Sequence, residues 1–138
     1  MEEKELAELR GKTAEDLLLV GEELLDQGQF EDAIQVYKEI VKKEPRQPTL
    51  AKACNDCGVA YASLEMPEMA IGFFNAALNL KDFLVDEGIS TYYNLGLVYR
   101  TAGEEEKAEL CFQQAERLKK EHKRSEEELK RAFNSEMW

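Results

Sequence analysis

Apolar residues recur every three or four positions along most of this chain of 138 residues, which is the spacing of an amphipathic helix. Thr13 has the character of a helix N-cap, and the apolar residues Leu17, Val20 and Leu24 follow it at helical spacing. A second apolar face runs from residue 30 to residue 43, after a break at Gly28. The pattern therefore predicts a helix–turn–helix unit in the first third of the chain.

Two further units of the same kind are predicted downstream. Helices are expected at about residues 49–64 and at about residues 67–79, with Pro67 at the first position of the second helix. A third pair begins near Gly88, and its turn lies at Ala102 and Gly103. Leucine, alanine and glutamate are common throughout and favour helix, so the fold is predicted to be all-α.

The end of the chain allows two interpretations. Leu118, His122, Ser125, Leu129 and Phe133 keep helical spacing, which favours one long helix. Residues 125–128 also form a capping box, which favours a new helix start. We expect a separate or kinked capping helix at about residues 123–137, because a stack of repeats needs a final element to cover its last apolar face.

Three glycines mark a register that recurs in each unit. Each glycine is followed twelve residues later by an alanine and four residues after that by an aromatic residue. Small residues allow two helices to cross closely, and the aromatic residues are expected to fill the space between successive units. The predicted packing residues are Gly21, Ala33, Tyr37, Gly58, Ala70, Phe74, Gly96, Ala108 and Phe112.

This register resembles that of the tetratricopeptide repeat family, in which leucine, glycine, tyrosine, alanine and phenylalanine recur at fixed positions. The resemblance implies one domain, residues 1–138: a right-handed α-solenoid of three repeats at about residues 14–47, 51–84 and 89–122, followed by the capping helix. The copies are 37 and 38 residues apart, against about 34 in the family. Glu65 replaces the glycine that the family places at the turn within a repeat.

The same resemblance implies where a ligand would bind. In this family the first helix of each repeat lines a concave groove that takes a peptide. The groove residues carried over to this chain are Leu18, Glu22, Leu25, Lys52, Asn55, Val59, Tyr93, Asn94, Leu97 and Arg100.

The residue types at the groove positions indicate whether the chain could bind the acidic tails of large chaperones. Family members that hold the acidic tails of large chaperones use a clamp of lysine, asparagine and arginine. Here the corresponding residues are Leu18, Glu22, Asp56, Ser90 and Asn94, and two carboxylates would repel an acidic tail. We therefore expect no binding of acidic chaperone tails, and instead an apolar or mixed peptide segment with basic flanks.

Charge and composition exclude other partners. The formal net charge is −11, which disfavours nucleic acid and anionic lipid surfaces. The chain has no apolar run long enough for a membrane helix. Its three cysteines are an odd number, which suits a reducing compartment, so a cytoplasmic location is expected.

Residues suited to catalysis or metal binding are few. Cys54 and Cys57 have the spacing of a zinc or redox pair, but the other candidate ligands are only Cys111 and His122. Both Cys54 and Cys57 occupy repeat positions where small hydrophobic residues pack. We therefore expect that the chain is not an enzyme and that it binds no metal and no cofactor.

These observations predict a non-catalytic protein-interaction module, such as an adaptor, scaffold or assembly factor. One alternative is a homo-oligomer in which Leu129, Phe133, Met137 and Trp138 dock into a neighbouring copy. A second alternative is a dedicated chaperone of the type III secretion kind, which also carries three of these repeats.

Overall fold

The computed structural model describes residues 1–136, and within them every regular element is helical. A short 3-10 turn, Lys81–Phe83, lies between α5 and α6. The seven α-helices are α1 (Glu3–Arg10), α2 (Ala14–Asp26), α3 (Phe30–Lys42), α4 (Gln47–Ser63), α5 (Pro67–Leu78), α6 (Ile89–Thr101) and α7 (Glu105–Glu136). The predicted all-α class and the three helix–turn–helix units are confirmed.

Local signals in the sequence explain the helix boundaries. The hydroxyl of Thr13 accepts a hydrogen bond of 3.1 Å from the backbone N–H of Asp16, which caps α2 as predicted. Pro67 begins α5, where its missing N–H costs no helical hydrogen bond. The turn within each unit has one residue in the left-handed region, namely Gly28, Glu65 and Gly103. Glu65 therefore adopts the conformation that glycine adopts in the other two units.

The units pack in chain order. Within each unit the two helices pair, as α2 with α3, α4 with α5 and α6 with α7, and the second helix of one unit contacts the first helix of the next. The first helices also contact one another, α2 with α4 and α4 with α6. This order places α2, α4 and α6 side by side, so their exposed faces form one continuous surface.

The glycine of each unit lies under the aromatic ring that follows it by 16 residues. A Cβ atom on Gly21 would lie 2.6 Å from the ring of Tyr37, and one on Gly58 would lie 2.7 Å from the ring of Phe74. Tyr37, Phe74 and the register alanines are fully buried or nearly so. The small residue thus allows the close crossing of the two helices within each unit.

The C-terminal end differs from the expectation. A single helix, α7, runs through residues 105–136, so the capping helix predicted at about 123–137 is not a separate element. The sequence from residue 104 onward contains no glycine or proline, so nothing interrupts the hydrogen-bond ladder at the Ser125 capping box. Residues 123–135 are all exposed and therefore cover no apolar face. Met137 and Trp138 lie outside the described residues.

An element at the other end of the stack was not predicted. Helix α1 packs on α3, with Leu9 buried and Leu6 partly buried against the core. Polar contacts fix it there: Arg10 Nε lies 3.7 Å from Glu39 Oε2, and the Lys43 ammonium donates a 2.6 Å hydrogen bond to the Arg10 carbonyl. The covering helix of this stack is therefore at its N-terminal end.

Candidate functional site

A cavity of about 420 Å³ opens between α4, α5 and α6. Three of the predicted groove residues, Val59, Asn94 and Leu97, line it. Most of its remaining wall is apolar, and its polar rim includes Glu65 of the α4–α5 turn. The lining residues are Val59, Ala62, Ser63, Glu65, Pro67, Phe74, Asn94, Leu97, Val98, Thr101 and Ala102. This cavity suits bulky apolar side chains more than a charged metabolite.

The exposed face of α6 continues from this cavity. Tyr93 is half exposed, and together with Asn94 it lines a second cavity of about 280 Å³ between α6 and α7. The Tyr93 ring lies 5.4 Å from the ring of Phe112, and the Arg100 guanidinium lies 4.7 Å from the centre of the same ring. The predicted residues Tyr93, Asn94, Leu97 and Arg100 therefore form one surface. We call this surface, together with the Val59 side of the first cavity, the α6 groove.

Charged residues predicted for the groove meet between α2 and α4. The Lys52 ammonium lies 3.1 Å from Asp56 Oδ2 and 3.2 Å from Glu22 Oε1. Burial raises the pKa of the Asp56 carboxyl, and the adjacent Lys52 opposes that rise. Burial acts to lower the pKa of Lys52, but the two carboxylates outweigh it, so the pKa of Lys52 is raised. Lys52 thus remains charged and neutralises its neighbours.

Asn55 joins two repeats. The Thr91 hydroxyl donates a 2.7 Å hydrogen bond to Asn55 Oδ1, and the Asn55 amide donates a 3.3 Å hydrogen bond to Asp56. Thr91 is buried, so the bond links α4 to α6 inside the stack. The amide of Asn55, predicted as a groove residue, is therefore already engaged by the protein.

Two of the predicted apolar groove residues lie apart from both cavities. Leu18 and Leu25 on α2 are partly buried and pack against the core. The structure therefore brings the predicted residues of α6 together with Val59 and leaves the two leucines of α2 elsewhere. Glu65 and Pro67 also line the cavity. The family pattern did not predict them as groove residues, although Glu65 stands out in the sequence because it replaces the turn glycine.

The cysteine pair lies on the opposite face of α4. Cys54 and Cys57 are buried free thiols that line an apolar pocket of about 330 Å³ with Tyr37, Val41 and Phe73. Burial raises the pKa of the Cys57 thiol to about 12 and also raises that of Cys54. A neutral, buried thiol is a poor nucleophile and a poor metal ligand. These properties are those of packing residues.

Residues 1–136 show few features suited to metal binding, histidine-based catalysis or membrane insertion. Within residues 1–136 no group of three or more histidine, cysteine, aspartate or glutamate side chains is arranged to hold a metal ion. The single histidine, His122, lies 3.2 Å from Glu87 at the edge of the stack. Of the helices in this range, none is both long and apolar enough to cross a membrane.

Comparison with known proteins identifies one repeat. Residues 89–122, which contain α6 and the first half of α7, match the family model described as the tetratricopeptide repeat. None of the curated proteins compared with the chain matches it. The matched segment has the boundaries predicted for the third repeat, and it contains Tyr93, Asn94, Leu97 and Arg100.

Proposed function

We propose that this chain, which carries a tetratricopeptide repeat at residues 89–122, binds a segment of another protein in the α6 groove. Repeats of this family generally mediate protein–protein interactions. The observation that carries the proposal is the apolar cavity of about 420 Å³ between α4, α5 and α6. Val59 and Leu97 line this cavity, and Leu97 is 42% exposed. An open apolar concavity beside polar residues is typical of a site that takes a side chain from a partner.

The chemistry of the groove indicates the class of ligand. A bulky aliphatic or aromatic side chain enters the cavity, and Asn94, which lines both cavities, is placed to hydrogen-bond the ligand backbone. Glu65 lies at the rim of the first cavity, whose lining contains no basic residue, whereas Glu116 and Lys119 both line the second. With the net charge of −11, Glu65 at the first cavity favours a segment that carries lysine or arginine next to its apolar residue.

The proposed role is non-catalytic, that of an adaptor, scaffold or assembly factor. The buried cysteines have raised pKa values, and the charged residues of the groove neutralise one another instead of surrounding a reacting group. Three free thiols suit a reducing compartment, and we place the protein in the cytoplasm on that basis.

Selection from a random peptide library on the immobilised protein tests the proposal. Enriched peptides are expected to share a bulky apolar residue next to lysine or arginine. Leu97→Glu should weaken their binding about tenfold or more, because a charge then lines the apolar cavity. Leu19→Glu, on an exposed leucine outside the groove, is the matched control and should leave binding unchanged.

Two results would contradict the proposal. Equal binding to the wild-type chain and to Leu97→Glu would move the site away from the α6 groove. Enrichment of acidic peptides without apolar residues would show that the wrong class of ligand has been assigned.

A further inference from the structure

The second half of α7 carries an apolar stripe that no other residue in the described range 1–136 covers. Residues 123–135 are all exposed, and among them Leu129 and Phe133 are 59% and 66% exposed. We call residues 123–136 the α7 tail. At 1.5 Å per residue, the 14 residues of this tail extend about 21 Å past the body of the stack.

The stripe continues the face that α7 buries within its own repeat. At 100° per residue, Cys111, Ala115 and Leu118, which are buried against the body, fall within about 60° of arc on the helix surface. Leu129 and Phe133 fall within the same arc. The tail therefore presents a packing face where the body of the protein has ended.

The charge of the tail does not oppose association with a second copy. Its four basic and four acidic side chains give a formal charge of zero, in a chain whose net charge is −11. The eight residues are Lys123, Arg124, Glu126, Glu127, Glu128, Lys130, Arg131 and Glu136. The tail is therefore a neutral segment on an acidic protein, and two tails can approach without the repulsion that two bodies would feel.

The order of these charges selects one orientation. The acidic run 126–128 precedes Leu129, and the basic pair 130–131 follows it. If two tails cross antiparallel at Leu129, the acidic run of each copy lies at the same height along the axis as the basic pair of the other. Glu126 and Lys130 of the second copy then lie on the same side of the contact, within about 3 Å along the axis. A parallel pair would place like charges side by side.

The sizes of the side chains fit the same arrangement. In an antiparallel pair centred on Leu129, the two Leu129 side chains meet. The large Phe133 of each tail then lies at the height of the small Ser125 of the other. We propose that the protein self-associates through its α7 tails, as an antiparallel pair of helices from two copies. The dimer presents two α6 grooves, which would bind a repeated or dimeric partner with increased avidity.

Sedimentation velocity of the full chain over a wide range of concentrations tests the proposal. The expected result is a reversible monomer–dimer equilibrium, with a dissociation constant raised about tenfold or more in the double variant Leu129→Gln, Phe133→Gln. The matched control is the double variant Leu19→Gln, Leu110→Gln, which removes leucines of 65% and 61% exposure elsewhere on the surface. A strict monomer, or equal weakening by the control, would overturn the proposal.

Disulfide trapping tests the orientation. The Leu129→Cys variant should crosslink to its own copy, because the two residues 129 meet at the centre of the pair. The Ser125→Cys variant should not, because its two copies lie about 12 Å apart along the axis of an antiparallel pair. The wild-type chain, whose three cysteines are buried, is the control. Crosslinking of Ser125→Cys to itself would overturn the antiparallel arrangement.

Discussion

Gly58 lies so close under the ring of Phe74 that a Cβ atom at residue 58 would be 2.7 Å from Phe74 Cδ1. The Phe74 ring is fully buried, so any shift of the ring would disturb its packing in the core. The same relationship joins Gly96 to Phe112, at 2.6 Å, but Phe112 is only partly buried. The glycine–aromatic contact therefore fixes the approach of the two helices within each repeat.

Replacing Gly58 by alanine is expected to destabilise the protein. The new methyl group would force the Phe74 ring from its packed position, at a cost of about 1–3 kcal/mol. The control is Gly72→Ala in α5, where an added Cβ has no neighbour within 4 Å. Because alanine favours helix over glycine, that variant should gain up to about 1 kcal/mol. Denaturant unfolding of both variants measures the difference, and equal stability would show that the register is misassigned.

The backbone conformation of Glu65, in the turn between α4 and α5, indicates that glycine at this position would stabilise the protein. Glu65 has a φ of +58°, in the left-handed region where Gly28 and Gly103 stand in the other repeats. Glu65→Gly should raise the free energy of unfolding by about 1 kcal/mol, because glycine adopts this conformation without strain. Glu65→Ala removes the same carboxylate but keeps a Cβ, so it should show no such gain. A larger gain from alanine than from glycine would attribute the effect to charge.

The buried carboxyl of Asp56 predicts a dependence on pH. Burial raises its pKa above the usual 3.8 in the folded protein. As pH rises from 3.8 to the raised value, the unfolded chain loses this proton before the folded chain does, so stability falls with rising pH across that window. Asp56→Asn removes this contribution. The unfolding free energy of the variant minus that of the wild type should therefore increase as pH rises.

Denaturant unfolding of both proteins at a series of pH values measures this difference. Titrating groups remote from residue 56 are common to the two proteins and cancel in the subtraction, and Lys52, whose pKa Asp56 raises, stays protonated in both across this acidic window. A difference that stays constant or decreases with pH would show that Asp56 is not penalised by burial.

The cysteine pair should be chemically inert in the folded protein. Burial raises the pKa of the Cys57 thiol to about 12, so the thiolate that reacts with labelling reagents is scarce at neutral pH. Mass spectrometry should find Cys54 and Cys57 unlabelled in the native protein and labelled after denaturation. Ser63→Cys, at an exposed position on the same helix, provides the reactive control. Native labelling of Cys57 as fast as this control would show an accessible thiol.

Much of the fold could be predicted because its signals are local. The Thr13 cap, the Pro67 helix start and the glycine–aromatic register each depend on residues close in sequence or at a fixed spacing. Helix α1 was missed because Leu6 and Leu9 are its main apolar positions, and their burial depends on α3. The sequence at Ser125 suits both a helix start and a helix interior, so it did not show that α7 is one continuous helix.

The candidate site was predictable only in part. The residues of α6 share one helix face, so their repeat positions bring them together whatever the rest of the chain does. The engagement of Asn55 by Thr91, and of Lys52 by Glu22, joins side chains more than 25 residues apart in sequence. Sequence spacing contains no information about such hydrogen bonds. The three-dimensional structure was needed to separate the groove residues that are free from those already engaged.

Mapping a selected peptide on the isotope-labelled protein by NMR tests the central claim most directly. If the peptide binds in the α6 groove, the largest chemical-shift changes are expected at Val59, Tyr93, Asn94 and Leu97. The competing apolar pocket lies on the opposite face of α4, against Val41 and Phe73. Changes confined to that second set, with the α6 residues unperturbed, would contradict the proposed site.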